Sequence, residues 1–221
     1  MNANSTSQAG KAAKTRPGRR LSRPRYLAAA GALLLLAGII CLLGIITAEA
    51  LYPEGYSTSQ NAISDLGATE PPDSVIEQPS ATIFNWTMIS TGIIILAAAF
   101  CLQRGFRRLP VTIFTALTGL GILGVGVFPG NYGSIHAIFA LTAFIAGGVA
   151  AIVSIMVQRP PFSIFSAILG AITLATLLLY MILGDEGPMS GLGMGGVERW
   201  VAYPILIWVL SFGGYLTGRA R

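Results

Sequence analysis

Residues 26–48 read YLAAAGALLLLAGIICLLGIITA, a run of 23 residues without a single charged side chain. The hydrocarbon core of a bilayer, about 30 Å thick, is crossed by an α-helix of about 20 apolar residues. The apolar region of a secretory signal peptide covers only about 7 to 15 residues, so the run predicts an uncleaved membrane span. The alternative is cleavage at Ala48-Glu49-Ala50, which resembles a signal-peptidase site.

Five further apolar runs of similar length follow along the chain. Helices satisfy all their backbone hydrogen bonds internally within lipid, so the predicted fold class is all-α: a polytopic membrane protein built as a six-transmembrane-helix bundle. Residues 1–25 are small, polar and basic, and we expect a disordered basic tail there and a short tail at 218–221. The predicted spans lie at about residues 26–48, 82–102, 110–128, 135–157, 162–183 and 197–217.

The composition supports a membrane protein rather than a nucleic-acid-binding one. Charged residues make up 10% of the chain, whereas soluble domains carry about 25%. The net charge is +5, but seven of the 14 basic residues precede the first span, where they set topology and contact anionic lipid. We therefore expect membrane lipids as partners, a membrane protein partner as an alternative, and no nucleic acid, because no folded polar face is predicted.

The basic residues also predict the orientation. The tails and the connections after spans two and four hold 13 of the 14 Lys and Arg residues, which places that side in the cytoplasm. Both termini are then cytoplasmic, and the expected location is the cell membrane. The opposite, outer side holds Arg199 and all nine acidic residues.

The outer segments, residues 49–81 and 184–196, are also longer than the cytoplasmic connections QRGFRRLP and QRPP. Long loops without regular structure are disproportionately functional. Loop length and charge therefore both place a candidate site on the outer face.

Three outer residues are candidate catalytic groups: Asp65, His136 and Glu198. His136 is the only histidine, begins span four, and can transfer a proton near neutral pH, with Asp65 or Glu198 orienting it. Each has a plainer interpretation. His136 can be an interfacial side chain, Asp65 part of a turn, and Glu198 a partner of the helix dipole.

Three further residues are candidate substrate-binding groups: Arg199, Ser64 and Glu49. The planar guanidinium of Arg199 can hold a phosphate through paired hydrogen bonds, but a structural salt bridge is the favoured explanation of this residue. A single histidine and two distant cysteines predict no zinc site, and no metal or cofactor is expected. Gly119, Gly121 and Gly124 match G-x-G-x-x-G but lie within a span, where small residues serve helix packing.

These motifs resemble those of a known family. Ile63-Ser64-Asp65-Leu66-Gly67, His136 at the start of span four and Glu198-Arg199-Trp200 at span six resemble the prokaryotic membrane family known as domain of unknown function 998, over about residues 26–217. They are similar, more distantly, to the eukaryotic DRAM/Frag/Sfk proteins, which have I-S-D-x-G, His and E-W motifs; here Arg199 interrupts the last pair. The first resemblance implies a fold, and the second makes lipid-anchor remodelling a candidate activity.

The predicted function follows from where these residues lie. We expect Asp65, His136, Glu198 and Arg199 to converge at the outer headgroup level, with Ser64 and Glu49 at the margin, and to bind or remodel a lipid-linked substrate. A non-catalytic partner subunit or chaperone is the alternative. A transporter comes third, because the span interiors lack ionisable residues.

The orientation predicts a labelling pattern. In a background without Cys41 and Cys101, single cysteines at Ser57 and Ser190 should react with an impermeant thiol reagent in intact cells, because both lie outside. Reaction at a cysteine replacing Ser163 instead would contradict the orientation.

Overall fold

The computed structural model describes residues 23–219, and this part of the chain forms six long α-helices and no β-strand. Each helix is long and apolar enough to cross a membrane, which confirms the predicted fold class. The basic tail predicted at 1–25 lies outside the described residues up to position 22. The helices are α1 Arg23–Ala50, α2 Ser80–Phe106, α3 Leu109–Val127, α4 Ser134–Val153, α5 Phe162–Leu183 and α6 Gly193–Arg219.

The helix bounds differ from the predicted spans mainly at the ends. α1 and α6 extend beyond the apolar runs, since a helix continues into the headgroup region where its charged ends reach water. α1 thus begins within the stretch expected to be a tail, with Pro24 in the first turn, where proline costs no hydrogen bond. α4 changes at Ser154 into a short 3₁₀ segment that ends at Val157.

The six helices form a closed ring. Each helix packs against the next one in the chain, and α6 returns to pack against α1. Short connections make successive helices antiparallel. Large, fully buried side chains such as Trp208 and Phe212 fill one half of the ring. A central cavity remains in the other half.

Glycines bring neighbouring helices into backbone contact around this ring. A Cβ atom added at Gly31 of α1 would lie 2.8 Å from the carbonyl oxygen of Gly213 on α6. One added at Gly92 of α2 would lie 2.6 Å from the carbonyl oxygen of Gly119 on α3. Gly121 faces the backbone of Ala143 on α4 in the same way. The glycines of the G-x-G-x-x-G pattern therefore serve helix packing.

One reporter position in the labelling experiment needs a correction. The side chain of Ser163 is buried, 8% exposed, so a cysteine there would react poorly from either side. Arg108 is exposed in the connection between α2 and α3, on the side predicted to be cytoplasmic. A cysteine at Arg108 is therefore the better reporter.

The glycine contacts predict a difference between two Gly→Ala variants. Gly121→Ala should destabilise the fold by about 1–3 kcal/mol, because the added methyl group meets the α4 backbone, which cannot rotate away. Gly214→Ala on α6 is the matched control, since nothing lies within 4 Å of its added Cβ atom. Thermal unfolding in detergent should show a lower Tm for Gly121→Ala only. Equal Tm values would mean that close packing at Gly121 does not limit stability.

Candidate functional site

The loop between α1 and α2 folds back over one end of the ring, which is the end predicted to face outward and is called the outer end below. Its 3₁₀ turn, Ser64–Leu66, lies in the motif Ile63-Ser64-Asp65-Leu66-Gly67. Ile63 and Leu66 are buried, 5% and 0% exposed, and pack with Phe84 in the outer core. The alternation of apolar and polar residues in this motif thus inserts two side chains into the bundle. This motif, residues 63–67, covers the central space, and we call it the ceiling.

Glu198 connects α6 to this ceiling. Its Oε2 accepts a hydrogen bond from the backbone amide of Ile63 at 2.5 Å, and the amide of Ser64 lies beside the same carboxylate. A buried backbone N–H without a partner is costly, and a carboxylate is a strong acceptor for it. Glu198 is therefore held in place by the motif it supports.

Asp65 stabilises the turn from within. Its Oδ2 accepts hydrogen bonds from the amide of Ala62 at 2.9 Å and from Asn61 Nδ2 at 3.4 Å. Burial raises the pKa of the Asp65 carboxyl above its ordinary value, while these two hydrogen bonds and the nearby His136 act in the opposite direction. The carboxylate thus makes its hydrogen bonds to its own turn, as the plainer interpretation of this residue proposed.

His136 lies in the first turn of α4, 3% exposed. Its Nδ1 is 2.8 Å from the carbonyl oxygen of Phe128, at the end of α3. A carbonyl oxygen only accepts, so Nδ1 carries the proton, and Nε2 of the neutral ring keeps a free lone pair. Among the described residues, Nε2 has no hydrogen-bond partner, and the ring lines the central cavity. It is a base available to a ligand.

The central cavity is apolar below a polar outer end. It has a volume of about 100 Å³ and is lined by residues of α1, α2, α3, α4, α6 and the ceiling. Ser64, His136 and Glu198 form its outer end. Below them the walls are mainly aliphatic and aromatic, down to Val209 of α6.

Arg199 and Glu49 form a separate structure beside the cavity. Arg199 Nη2 lies 2.5 Å from Glu49 Oε1 and donates to the Tyr56 hydroxyl at 2.7 Å. Its Nη1 faces the carbonyl oxygens of Thr58, Asn61 and Gly195, at 2.8 to 3.0 Å. The two terminal nitrogens are thus occupied, as in the salt-bridge interpretation. We call this group, Arg199 with Glu49 and Tyr56, the arginine clamp.

The structure thus divides the six predicted site residues. Ser64, His136 and Glu198 share the cavity, whereas Asp65 lies in the ceiling turn and Glu49 and Arg199 in the clamp. Arg199 also borders a second, more open pocket beside Trp200. The expected single outer pocket is therefore divided into the cavity group and the clamp, with Asp65 in the ceiling turn and in neither group.

Burial raises the pKa of the Tyr56 hydroxyl, which keeps the phenol neutral within the clamp.

Sequence reasoning missed two cavity residues. Tyr203 of α6 was not among the candidate residues, but it lines the cavity. Thr91 also lines it, on α2, and shares a helical face with Phe84, Met88 and Ile95. The spacing of these four positions, which follows the helical repeat, was the available signal.

Metal binding has no support in the described part of the chain. There, no three His, Cys, Asp or Glu side chains come close enough together to hold a metal ion. The carboxylates of Glu198 and Asp65 are instead engaged by backbone amides.

A comparison with known families gives a match over most of the chain. Residues 35–215 match the family described as "Protein of unknown function (DUF998)". The chain belongs to this family. No curated protein and no solved structure matches it. The match gives the family and no activity, and the six helices long and apolar enough to span a membrane are a finding of the structure itself.

The arginine clamp predicts a large loss of stability on removal of the guanidinium. Arg199→Ala in this DUF998 chain should lower the free energy of unfolding by about 3 kcal/mol, because Glu49 and several loop carbonyls lose their partner in a partly buried site. Arg108→Ala is the control, since Arg108 is exposed. Thermal unfolding in detergent measures both. An unchanged Tm for Arg199→Ala would show that the clamp contributes little.

Proposed function

We propose that this DUF998 protein binds a lipid-linked substrate at the outer headgroup level, and that His136 is the base through which the bound substrate is remodelled. One observation carries the proposal: the central cavity is apolar along its length and polar only at its outer end, apart from Thr91 and Tyr203. This distribution matches an amphiphile, whose chain is apolar and whose headgroup link is polar.

The cavity is long and narrow. From Glu198 to Val209 it follows α6 for about 16 Å, at 1.5 Å per residue. Its volume of about 100 Å³ is below that of an apolar cavity of about 150 Å³ that admits benzene. The closed cavity therefore holds only a few carbon atoms, and an extended chain enters it only as flexible wall side chains such as Met88 move aside.

The polar end suits the bond that joins a chain to a headgroup. Nε2 of His136 can accept a proton from water as that water attacks an ester carbonyl, and can return the proton to the departing alkoxide. Ser64 lies in the same wall, and its hydroxyl can donate to the ester oxygen. This step consumes water and releases an acid and an alcohol, so it needs no other reactant.

A second candidate, binding without catalysis, is favoured by one specific contact. His136 Nδ1 donates to a backbone carbonyl and not to a carboxylate. Glu198 and Asp65 both accept hydrogen bonds from the ceiling, and neither accepts a hydrogen bond from the imidazole that would orient it as a base. A partner subunit or chaperone that holds a lipid would have the same geometry.

Two pairs of variants test the proposal. His136→Asn keeps an N–H donor for Phe128 but removes the base, whereas His136→Ala removes both. Ala140→Leu narrows the cavity, and Ala137→Leu is its control, because Ala137 lies on the same helix but does not line the cavity. The lipids of cells lacking the protein are compared with those of cells expressing each variant at equal membrane levels.

The expected result is that His136→Asn, His136→Ala and Ala140→Leu all give the lipid profile of the deletion, while Ala137→Leu restores the wild-type profile. Restoration by His136→Asn, with failure of Ala140→Leu, would replace remodelling with binding alone. If Ala140→Leu and His136→Asn both restore the wild-type profile, the cavity is not the functional site.

A further inference from the structure

A polar groove lies outside the central cavity, where the outer ends of α2 and α3 meet. Trp86 of α2 lines it and is 66% exposed, and Tyr132, in the turn after α3, lines it and is 51% exposed. Its volume is about 340 Å³, more than three times that of the central cavity and within the range of about 300–1,000 Å³ for small-molecule sites. We call it the Trp86 groove.

Close packing of α2 against α3 fixes the groups that line this groove. A Cβ atom added at Gly126 of α3 would lie 2.6 Å from the carbonyl oxygen of Asn85 on α2. Gly67 of the ceiling is in contact with the Asn85 side chain, and the Tyr132 ring packs edge-on against Phe128, with 5.5 Å between ring centroids. These groups are therefore in position before a ligand arrives, which lowers the entropic cost of binding.

Three carboxamides line the groove together with the two aromatic rings. Gln78 Oε1 accepts from Thr82 Oγ1 at 2.7 Å, which leaves Nε2 of Gln78 free. Asn85 and Asn131 make no side-chain hydrogen bond within the described chain. Oδ1 of Asn85 is enclosed, so this amide can reach a ligand only through Nδ2. Each of the three carboxamides thus has a donor group without a protein partner.

Anchoring in the headgroup layer would explain the aromatic rings but not the carboxamides beside them. Trp200 shows the difference, since it is also exposed, by 51%, near the outer end of α6. Among the described residues that line the pocket at Trp200 there is no carboxamide, and Leu192, Pro204 and Ile207 give it an apolar wall. Trp200 has the surroundings of an interfacial anchor, whereas Trp86 has those of a binding site.

The lining of the Trp86 groove restricts the chemistry of its ligand. None of the described residues that line it is charged, which disfavours a phosphate or a carboxylate. A quaternary ammonium group can pack against aromatic rings, but it cannot use the carboxamides because it neither donates nor accepts a hydrogen bond. A ligand that suits both sets of groups carries hydroxyls and an apolar C–H face, and has no net charge.

We propose that the Trp86 groove binds a neutral saccharide. The C–H face of a sugar ring packs on the electron-rich face of Trp86 or Tyr132. Its hydroxyls accept from the free amide donors of Asn85 and Asn131. The groove lies outside the central cavity, so this inference goes beyond the proposed function and does not depend on it.

The experiment measures saccharide binding in the absence of competing headgroups. The purified full-length chain is placed in nanodiscs of phosphatidylethanolamine and phosphatidylserine, which carry neither sugar nor choline, and maltoside detergents are removed. Fluorescent nanodiscs are applied to a printed array of neutral oligosaccharides built from hexoses and N-acetylhexosamines, with empty nanodiscs as background. The saccharide with the strongest signal is then titrated as a competitor, both free and as its octyl glycoside, beside phosphocholine.

Two matched pairs of variants locate the binding. Trp86→Ala and Trp200→Ala each remove an exposed interfacial tryptophan, but only Trp86 lines the groove. Asn131→Ala removes a groove carboxamide, and Ser134→Ala is its control, because Ser134 is exposed nearby and does not line the groove. All four changes lie near the surface, so each variant should keep a Tm close to that of wild type.

Wild type, Trp200→Ala and Ser134→Ala should bind a neutral saccharide equally well. Trp86→Ala should weaken binding about tenfold through loss of the ring face, and Asn131→Ala about fivefold, the equivalent of one net hydrogen bond. Stronger competition by the octyl glycoside would identify a glycolipid headgroup as the source, and equal competition a free glycan; both support the site. Three results would overturn it: no array signal above empty nanodiscs, equal losses in Trp86→Ala and Trp200→Ala, or competition by phosphocholine alone.

Discussion

The outer half of this protein depends on one constraint: backbone groups that enter the bundle without a helix around them must find partners. Residues 56–66 bring amides and carbonyls into the outer end of the ring, where water does not reach all of them. Two consecutive residues of α6 meet this requirement. Glu198 accepts from the loop amides, and Arg199 donates to the loop carbonyls. These hydrogen bonds from Glu198 and Arg199 hold the ceiling in place, and the ceiling closes the cavity beneath it.

Much of the fold follows from the sequence because lipid leaves the backbone few options. An uncharged run of about 20 residues has to be a helix there, and each of the six apolar runs coincides with one long helix of the structure. The order of the helices around the ring cannot be predicted in this way. It depends on which faces carry the small residues, and a pair such as Gly31 and Gly213 is recognisable only once both helices are positioned.

The candidate site, too, could be predicted only in part from the sequence. The charge distribution predicts the end of the bundle at which these residues lie, but it does not predict which of them come together. Glu198 and Arg199 are adjacent in sequence and were placed together, yet consecutive residues on an α-helix point about 100° apart. Glu198 therefore lines the cavity, whereas Arg199 contacts Glu49 in the clamp. Thr91 was missed because a threonine in a span carries no signal of whether its hydroxyl bonds to its own helix.

The closure of the ring by α1 and α6 has a consequence for biosynthesis. The loop that forms the ceiling is made directly after α1, but Glu198 and Arg199 are translated more than 130 residues later. Until α6 enters the membrane, the loop's inward amides and the Glu49 carboxylate have no partner from that helix. A nascent chain that stalls or is truncated before α6 therefore exposes polar backbone beside lipid. The first loop can therefore fold completely only after α6 has entered the membrane.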